Sequence, residues 1–184
     1  MILPVYVYGS PVLRKKSIPV DQNYEGLHTF IADLWETMYN SDGVGLAAPQ
    51  VGKSIRIFVI DSSAMESDDP SVKGFKKTFI NPKIIEKTGE EILFVEGCIS
   101  IPHIREEVSR PPQIRIQYYD EEWIYHDEAF EGVPARIIQH EYDHLEGILF
   151  VDKIPAIRRK LLNGRLSAIS RGKIDVSYKI KTPR

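Results

Sequence analysis

With a single cysteine, Cys98, in 184 residues, no disulfide can form within the chain, and stability has to come from a packed core. Long apolar runs are also missing. No stretch approaches the roughly 20 residues that span a bilayer, and the opening Met1-Ile2-Leu3-Pro4 lacks the basic segment and apolar core of a secretory leader. These absences point to the cytoplasm and to no membrane partner. Nor does one sign of charge dominate: 24 Lys and Arg against 26 Asp and Glu give a net charge of -2, which indicates no DNA partner. Repeats and low-complexity blocks are absent. At 42% hydrophobic residues the chain can bury one substantial core, so a single domain over residues 1–184 is expected.

The charge is unevenly placed. Residues 155–184 carry nine Lys or Arg and one acid, Asp175, leaving an acidic body and a basic C-terminal extension from about residue 165. Such an extension suits an RNA-rich surface, and a solvated helix face accounts for it equally well.

Leu27, Phe30, Ile31, Leu34 and Met38 recur at helical spacing and predict an amphipathic helix over residues 24–41. Residues 55–60 read as a buried strand. Residues 83–86 and 92–95 flank Thr88-Gly89-Glu90 as a hairpin, and Ile114, Ile116 and Tyr118 alternate as a half-buried strand. Turns are expected at Glu121-Glu122 and Asp127-Glu128, with an extended segment between them. Pro134 opens a helix that Gly147 ends. A last helix is expected over 155–169 with Ile157, Leu161, Leu162, Leu166 and Ile169 inward, followed by a strand at 175–180. The polar stretch 62–77, with Ser67-Asp68-Asp69-Pro70-Ser71, reads as a surface loop.

The helix opened by Pro134 contains His140-Glu141-Tyr142-Asp143-His144, an H-E-x-x-H pattern. Two histidines four residues apart leave one face of a helix and can share a metal ion, with Glu141 beside the open coordination position. A catalytic ion usually takes three protein ligands. The longer metalloprotease pattern would place a third histidine where Phe150 stands, and few acids follow the motif. The ligand is therefore sought upstream. Cys98 suits it as a thiolate donor, with Gly97 beside it allowing close backbone approach. Gly43-Val44-Gly45-Leu46-Ala47-Ala48-Pro49-Gln50 imitates a dinucleotide-binding turn, yet a helix precedes it where a strand is required, so a glycine-rich strand edge is expected.

Taken together, Gly43 to Gln50, Glu96-Gly97-Cys98-Ile99-Ser100 and Gln139 to His144 resemble the three signature segments of the peptide deformylases, in that family's order. Ile99 replaces the leucine usual there, and the resemblance extends over about residues 3–165. It implies an α+β fold with antiparallel β-sheets around a central helix carrying the H-E-x-x-H motif, plus an N-terminal and a C-terminal helix. It also implies one divalent ion held by Cys98, His140 and His144, with Fe(II) expected and Zn, Ni or Co as replacements. Glu141 would move the proton of the attacking water, while the Gln50 amide and the Ile99 backbone N–H would stabilise the developing oxyanion.

The implied reaction removes the formyl group from formyl-Met nascent peptides, releasing formate, with ribosome contact through the basic tail. Val44, Gly45 and Gly97 would offer backbone groups to an extended peptide. Ile137, three residues before His140, is a pocket candidate with Val44. Of Arg105 and Arg110, one is expected to brace Glu96 and the other to meet substrate. Tyr142 is read as packing, Asp143 as a solvated or supporting acid, and His28, His103 and His126 receive no chemistry. The rival readings are a metalloprotease cutting internal peptide bonds and a structural-metal RNA-binding module.

Overall fold

In the computed structural model, which describes residues 1–65 and 72–183, four apolar residues of one strand decide the layering. Strand β3, Ile57–Asp61, follows β1, Val5–Tyr6, and β2, Gly45–Ala47. Ile57 and Val59 point to one side of β3 and Phe58 and Ile60 to the other, and all four are fully buried. A strand with both faces covered reads as a continuous apolar run, and this is one.

Helix α1, Leu27–Asn40, covers the first side. Its Phe30, Ile31, Leu34 and Met38 pack with Leu46, Ile57, Val59 and Ile80, the face its spacing predicted. Helix α2, Gly132–Leu145, covers the second, where Ala135, Ile137, Ile138 and Leu145 meet Phe58, Ile60, Ile114 and Ile116. The sheet between them is antiparallel, in the order β2-β3-β4-β7-β8, with β4 at Lys76–Thr88, β7 at Gln113–Tyr119 and β8 at Tyr125–Glu131. Helix α3, Ala156–Ser170, buries Leu162, Leu166 and Ile169 against a third apolar group that includes Val7, Leu13 and Ile104.

The remaining strands, β5 at Ile92–Cys98 and β6 at Ile101–Arg110, form a separate antiparallel pair. This corrects the expected hairpin around Gly89. That glycine, at φ +90°, redirects the chain from β4, paired with β7, into β5, paired with β6. Local alternation marks a strand without choosing its partner.

Four further expectations are corrected. Asp127 and Glu128 lie inside β8 rather than in a turn; β8 is the sheet's edge, where charged residues are tolerated, and Asp127 pairs with Arg115 across the strands. Ile157 and Leu161 face solvent at 65% and 69% exposure. Of the expected 175–180 strand only Ile180 lies in β9, Ile180–Lys181, which pairs in parallel with β1. The expected surface loop over 62–77 is also shorter than read: Lys76 and Lys77 belong to β4, Ser62 and Val72 are buried, Ser63–Met65 form a 3₁₀ turn, and Ser67-Asp68-Asp69-Pro70-Ser71 lies outside the described residues.

Candidate metal centre

Strand pairing places the cysteine. From Ile92↔Arg110 to Gly97↔Arg105 the β5–β6 register is regular; it then shifts so that Cys98 faces Ile101, leaving Ile99 and Ser100 as a two-residue turn. Cys98 thus sits where β5 turns back, against α2. The spacing of His140 and His144 brings both rings to the same side of that helix, with centroids 5.1 Å apart. Donor atoms of Cys98, His140 and His144 all lie within 4.8 Å of one another, and Cys98 Sγ is 3.3 Å from His144 Nε2. Three soft or borderline donors at such spacing fit a divalent transition-metal ion.

The surrounding hydrogen bonds fix how two of these groups present themselves. His140 Nδ1 lies 3.0 Å from Glu96 Oε2, and since a carboxylate only accepts, Nδ1 carries the proton and Nε2 keeps its lone pair for a metal. Burial favours the neutral acid at Glu96, but hydrogen bonds from Arg110 and His140 hold its carboxyl well below the usual carboxylate range. Arg110 donates Nε and Nη2 to the two oxygens of Glu96, at 2.6 and 2.9 Å, and Nη1 to Asp143 at 2.7 Å. Of the two arginines weighed from sequence, Arg110 is the brace; Arg105 lines the cavity. Asp143 is buried and paired, not solvated.

Gln50, 1% exposed, accepts from the Ala47 N–H at Oε1, which turns its Nε2 towards the centre, 3.4 Å from Cys98 Sγ and 3.1 Å from Ser100 Oγ. Glu141 is 3% exposed, and burial pushes its carboxyl up to about 7. Its Oε2 makes no hydrogen bond among the described residues. An unpaired buried carboxylate oxygen beside three metal donors suits a group that handles the proton of a reacting water.

A cavity of about 710 Å³ opens beside these groups. Val44, Gly45, Gly97, Ile99, Ile137 and Arg105 all line it. Ile137 also packs in the core behind α2, and Tyr142 lies under Arg56, 5.2 Å from the guanidinium carbon. Phe150, where a protease pattern would place a ligand, is buried and stacks over His140 at 6.1 Å. His28 is exposed on α1, His126 pairs with Asp120, and His103 donates to the Asp175 carbonyl.

Three contributors were missed from sequence. Arg136, four residues before His140 and so on its side of α2, donates to Glu96 and to the carbonyls of Val108 and Ile92. That spacing was a usable signal. Gln139 donates to the Pro111 carbonyl, tying α2 to the end of β6, and Ser100 receives Gln50. Both stand within the signature segments, which was the available signal, although no role was read for them.

Comparisons with known proteins bear on the family and the fold. A family model described as polypeptide deformylase matches residues 2–160. The peptide deformylase of Christiangramia forsetii is 50% identical over 190 residues, covering 100% of this chain and 97% of the relative. The solved peptide deformylase of Thermus thermophilus superposes with a TM-score of 0.82 at 37% identity, covering 94% of this chain and 99% of that one. That of Thermotoga maritima gives 0.76 at 41% identity, covering 84% and 99%.

Proposed function

The chain belongs to the peptide deformylase family, and from that premise we propose how its own residues share the removal of the N-formyl group from nascent peptides. The family is a metalloenzyme family, and Cys98, His140 and His144 are the residues that would hold the ion. When bound, a divalent cation supplies Lewis acidity and makes hydroxide available near neutral pH.

Glu141 accepts the proton of the attacking water as its oxygen adds to the formyl carbon. The same carboxyl then delivers a proton to the departing amine as the C–N bond breaks, leaving formate and a free amino terminus. Charge gathers on the formyl oxygen in between. Gln50 Nε2, whose direction the Ala47 N–H fixes, and the Ile99 N–H are the donors assigned to that oxygen. Glu96 orients His140 and raises its basicity, with Arg110 and Arg136 satisfying the carboxylate. Val44, Gly45 and Gly97 present backbone groups to the peptide, while Ile137 and Arg105 border its side chains.

The observation that carries this reading is the unpaired Glu141 carboxylate buried beside the Cys98, His140 and His144 donors. Formate release from formyl-Met peptides, set against metal content, tests it. The rival readings are not favoured: Phe150 stands at the protease ligand position, and the relatives over the full chain are deformylases.

The native ion in this proposal is Fe(II), as the family resemblance implies; Zn, Ni and Co suit the same donors. The location is the bacterial-type cytoplasm; no helix of the described residues is long and apolar enough to cross a membrane. Ribosome contact is assigned to the basic C-terminal tail. Within it Arg158 pairs with Glu106 and Arg159 with Asp152, while Lys160 is exposed. Lys160→Glu is expected to weaken co-sedimentation with ribosomes at low salt while turnover of free peptide holds; unchanged co-sedimentation removes the idea.

A further inference from the structure

Residues 175–178 fall beyond the segment that the family model matches, yet Asp175, Val176, Ser177 and Tyr178 line the same cavity as Gln50, Cys98 and Glu141. After α3 the chain turns at Gly172, φ +69°, and runs back to this cavity. Three sets of contacts hold it there. The His103 ring donates from Nε2 to the Asp175 carbonyl at 2.7 Å. Val5 and Val7 donate to the carbonyls of Lys179 and Lys181 at 2.8 and 3.1 Å, forming the β1–β9 pair. The Tyr178 O–H donates to the Ile99 carbonyl at 2.7 Å.

His103 itself adopts φ +63°, an uncommon conformation for a residue with a side chain. Its ring is bonded to the tail, and its carbonyl accepts from Arg165 of α3. The tail and the β6 side of the cavity are therefore built against each other.

The Ile99 carbonyl matters because of what surrounds it. The Cys98–Ser100 turn carries a metal donor and the N–H assigned to the formyl oxygen, and it is gripped from separate parts of the chain. Gln50 Nε2 donates to Ser100 Oγ, the Tyr8 N–H donates to the Ser100 carbonyl at 2.9 Å, and Tyr178 holds the carbonyl between them. A backbone donor stabilises an oxyanion only if its plane is set before the charge develops. The Ile99 carbonyl belongs to the next peptide plane, so holding it restrains that plane and, through the backbone torsions of Ile99, the plane that carries its N–H. Burial, with Cys98 nearby, pushes the Tyr178 phenol up to about 12, so it stays protonated as a donor.

We infer that residues 175–178 are part of the active site and that Tyr178 is a positioning residue, its O–H holding the Cys98–Ser100 turn so that the Ile99 N–H meets the formyl oxygen. The inference rests on the proposed role of Ile99 and adds the element that keeps it in place.

Tyr178→Phe tests this directly, since it removes one oxygen and leaves the ring packing. In metal-loaded full-length protein acting on a formyl-Met peptide, kcat is expected to fall about tenfold or more, with KM within about twofold. Metal content should match wild type and the thermal midpoint should shift by no more than a few degrees. A purely structural tyrosine would show the reverse: a lowered midpoint with kcat per metal-loaded molecule unchanged. That result, or an unchanged kcat with an unchanged midpoint, overturns the inference while leaving deformylation by the wild type intact. A wild type with metal bound and no formate release overturns the functional reading and this inference with it.

Discussion

The carboxylate of Glu141 occupies the space that a side chain on Gly45 would take: a Cβ built there would lie 2.6 Å from Oε1 and 2.9 Å from Cδ of Glu141. Two segments nearly a hundred residues apart in sequence thus meet at van der Waals limits, β2 supplying a bare backbone wall for the proton-transfer group of α2. The requirement at position 45 is for space, since its φ is not in the left-handed region.

Gly45→Ala therefore pushes Glu141 off its position. Misplacing a catalytic group by about 1 Å can cost on the order of 100-fold, so kcat should fall between about 10- and 100-fold with one metal ion still bound. Steady-state kinetics with metal analysis checks it. Wild-type turnover in Gly45→Ala would show that the carboxylate has room to move without consequence.

Away from the centre, Asp152 pairs with Arg14 and Arg159 and accepts the Leu149 N–H at 2.9 Å. Burial tends to raise its pKa, but the Arg14 hydrogen bond and the Leu149 N–H hold it below its ordinary value near 3.8. A carboxyl depressed in the folded state adds stability above its unfolded pKa, and that contribution is lost as pH falls through the folded value. Asp152→Asn should cost about 1 kcal/mol at pH 7, as for a partly exposed pair, and the gap should shrink once the pH drops below about 4. Urea unfolding of both proteins from pH 7 downward tests the sign; a gap that widens in acid would contradict it.

Much of this molecule was legible in its sequence, for identifiable reasons. The α1 pattern has a period of 3.6 and an apolar side that faces a sheet, so Phe30, Ile31 and Leu34 lie where spacing placed them. His140 and His144 converge because helix geometry makes residues at i and i+4 neighbours. Cys98 needed a different argument, the shortage of a third ligand elsewhere, and the structure sets it beside the histidines.

What stayed hidden depends on long-range pairing. Nothing local in Ile92–Cys98 says that it turns from β4 to pair with β6, and that choice is what delivers Cys98 to α2. Ile157 and Leu161 are apolar at helical spacing yet exposed, because the inward side of α3 is set by Leu162, Leu166 and Ile169. Arg110 is 2% exposed although arginine is rarely buried; it is accommodated because Glu96 and Asp143 both accept from it. Tyr178 reaches Ile99 across 79 positions, with no motif linking the two.

The central claim is that Cys98, His140 and His144 hold the ion while Glu141 moves the proton during deformylation. Its most direct measurement is formate release from a formyl-Met peptide by anaerobically prepared wild type and Glu141→Ala, with bound metal counted in both. The account predicts about one divalent ion in each protein, formate release by wild type, and a rate lower by about 10²- to 10⁴-fold or more in Glu141→Ala. Wild type with metal bound that cuts internal peptide bonds and leaves formyl-Met intact, or a Glu141→Ala protein that releases formate at the wild-type rate, would contradict it.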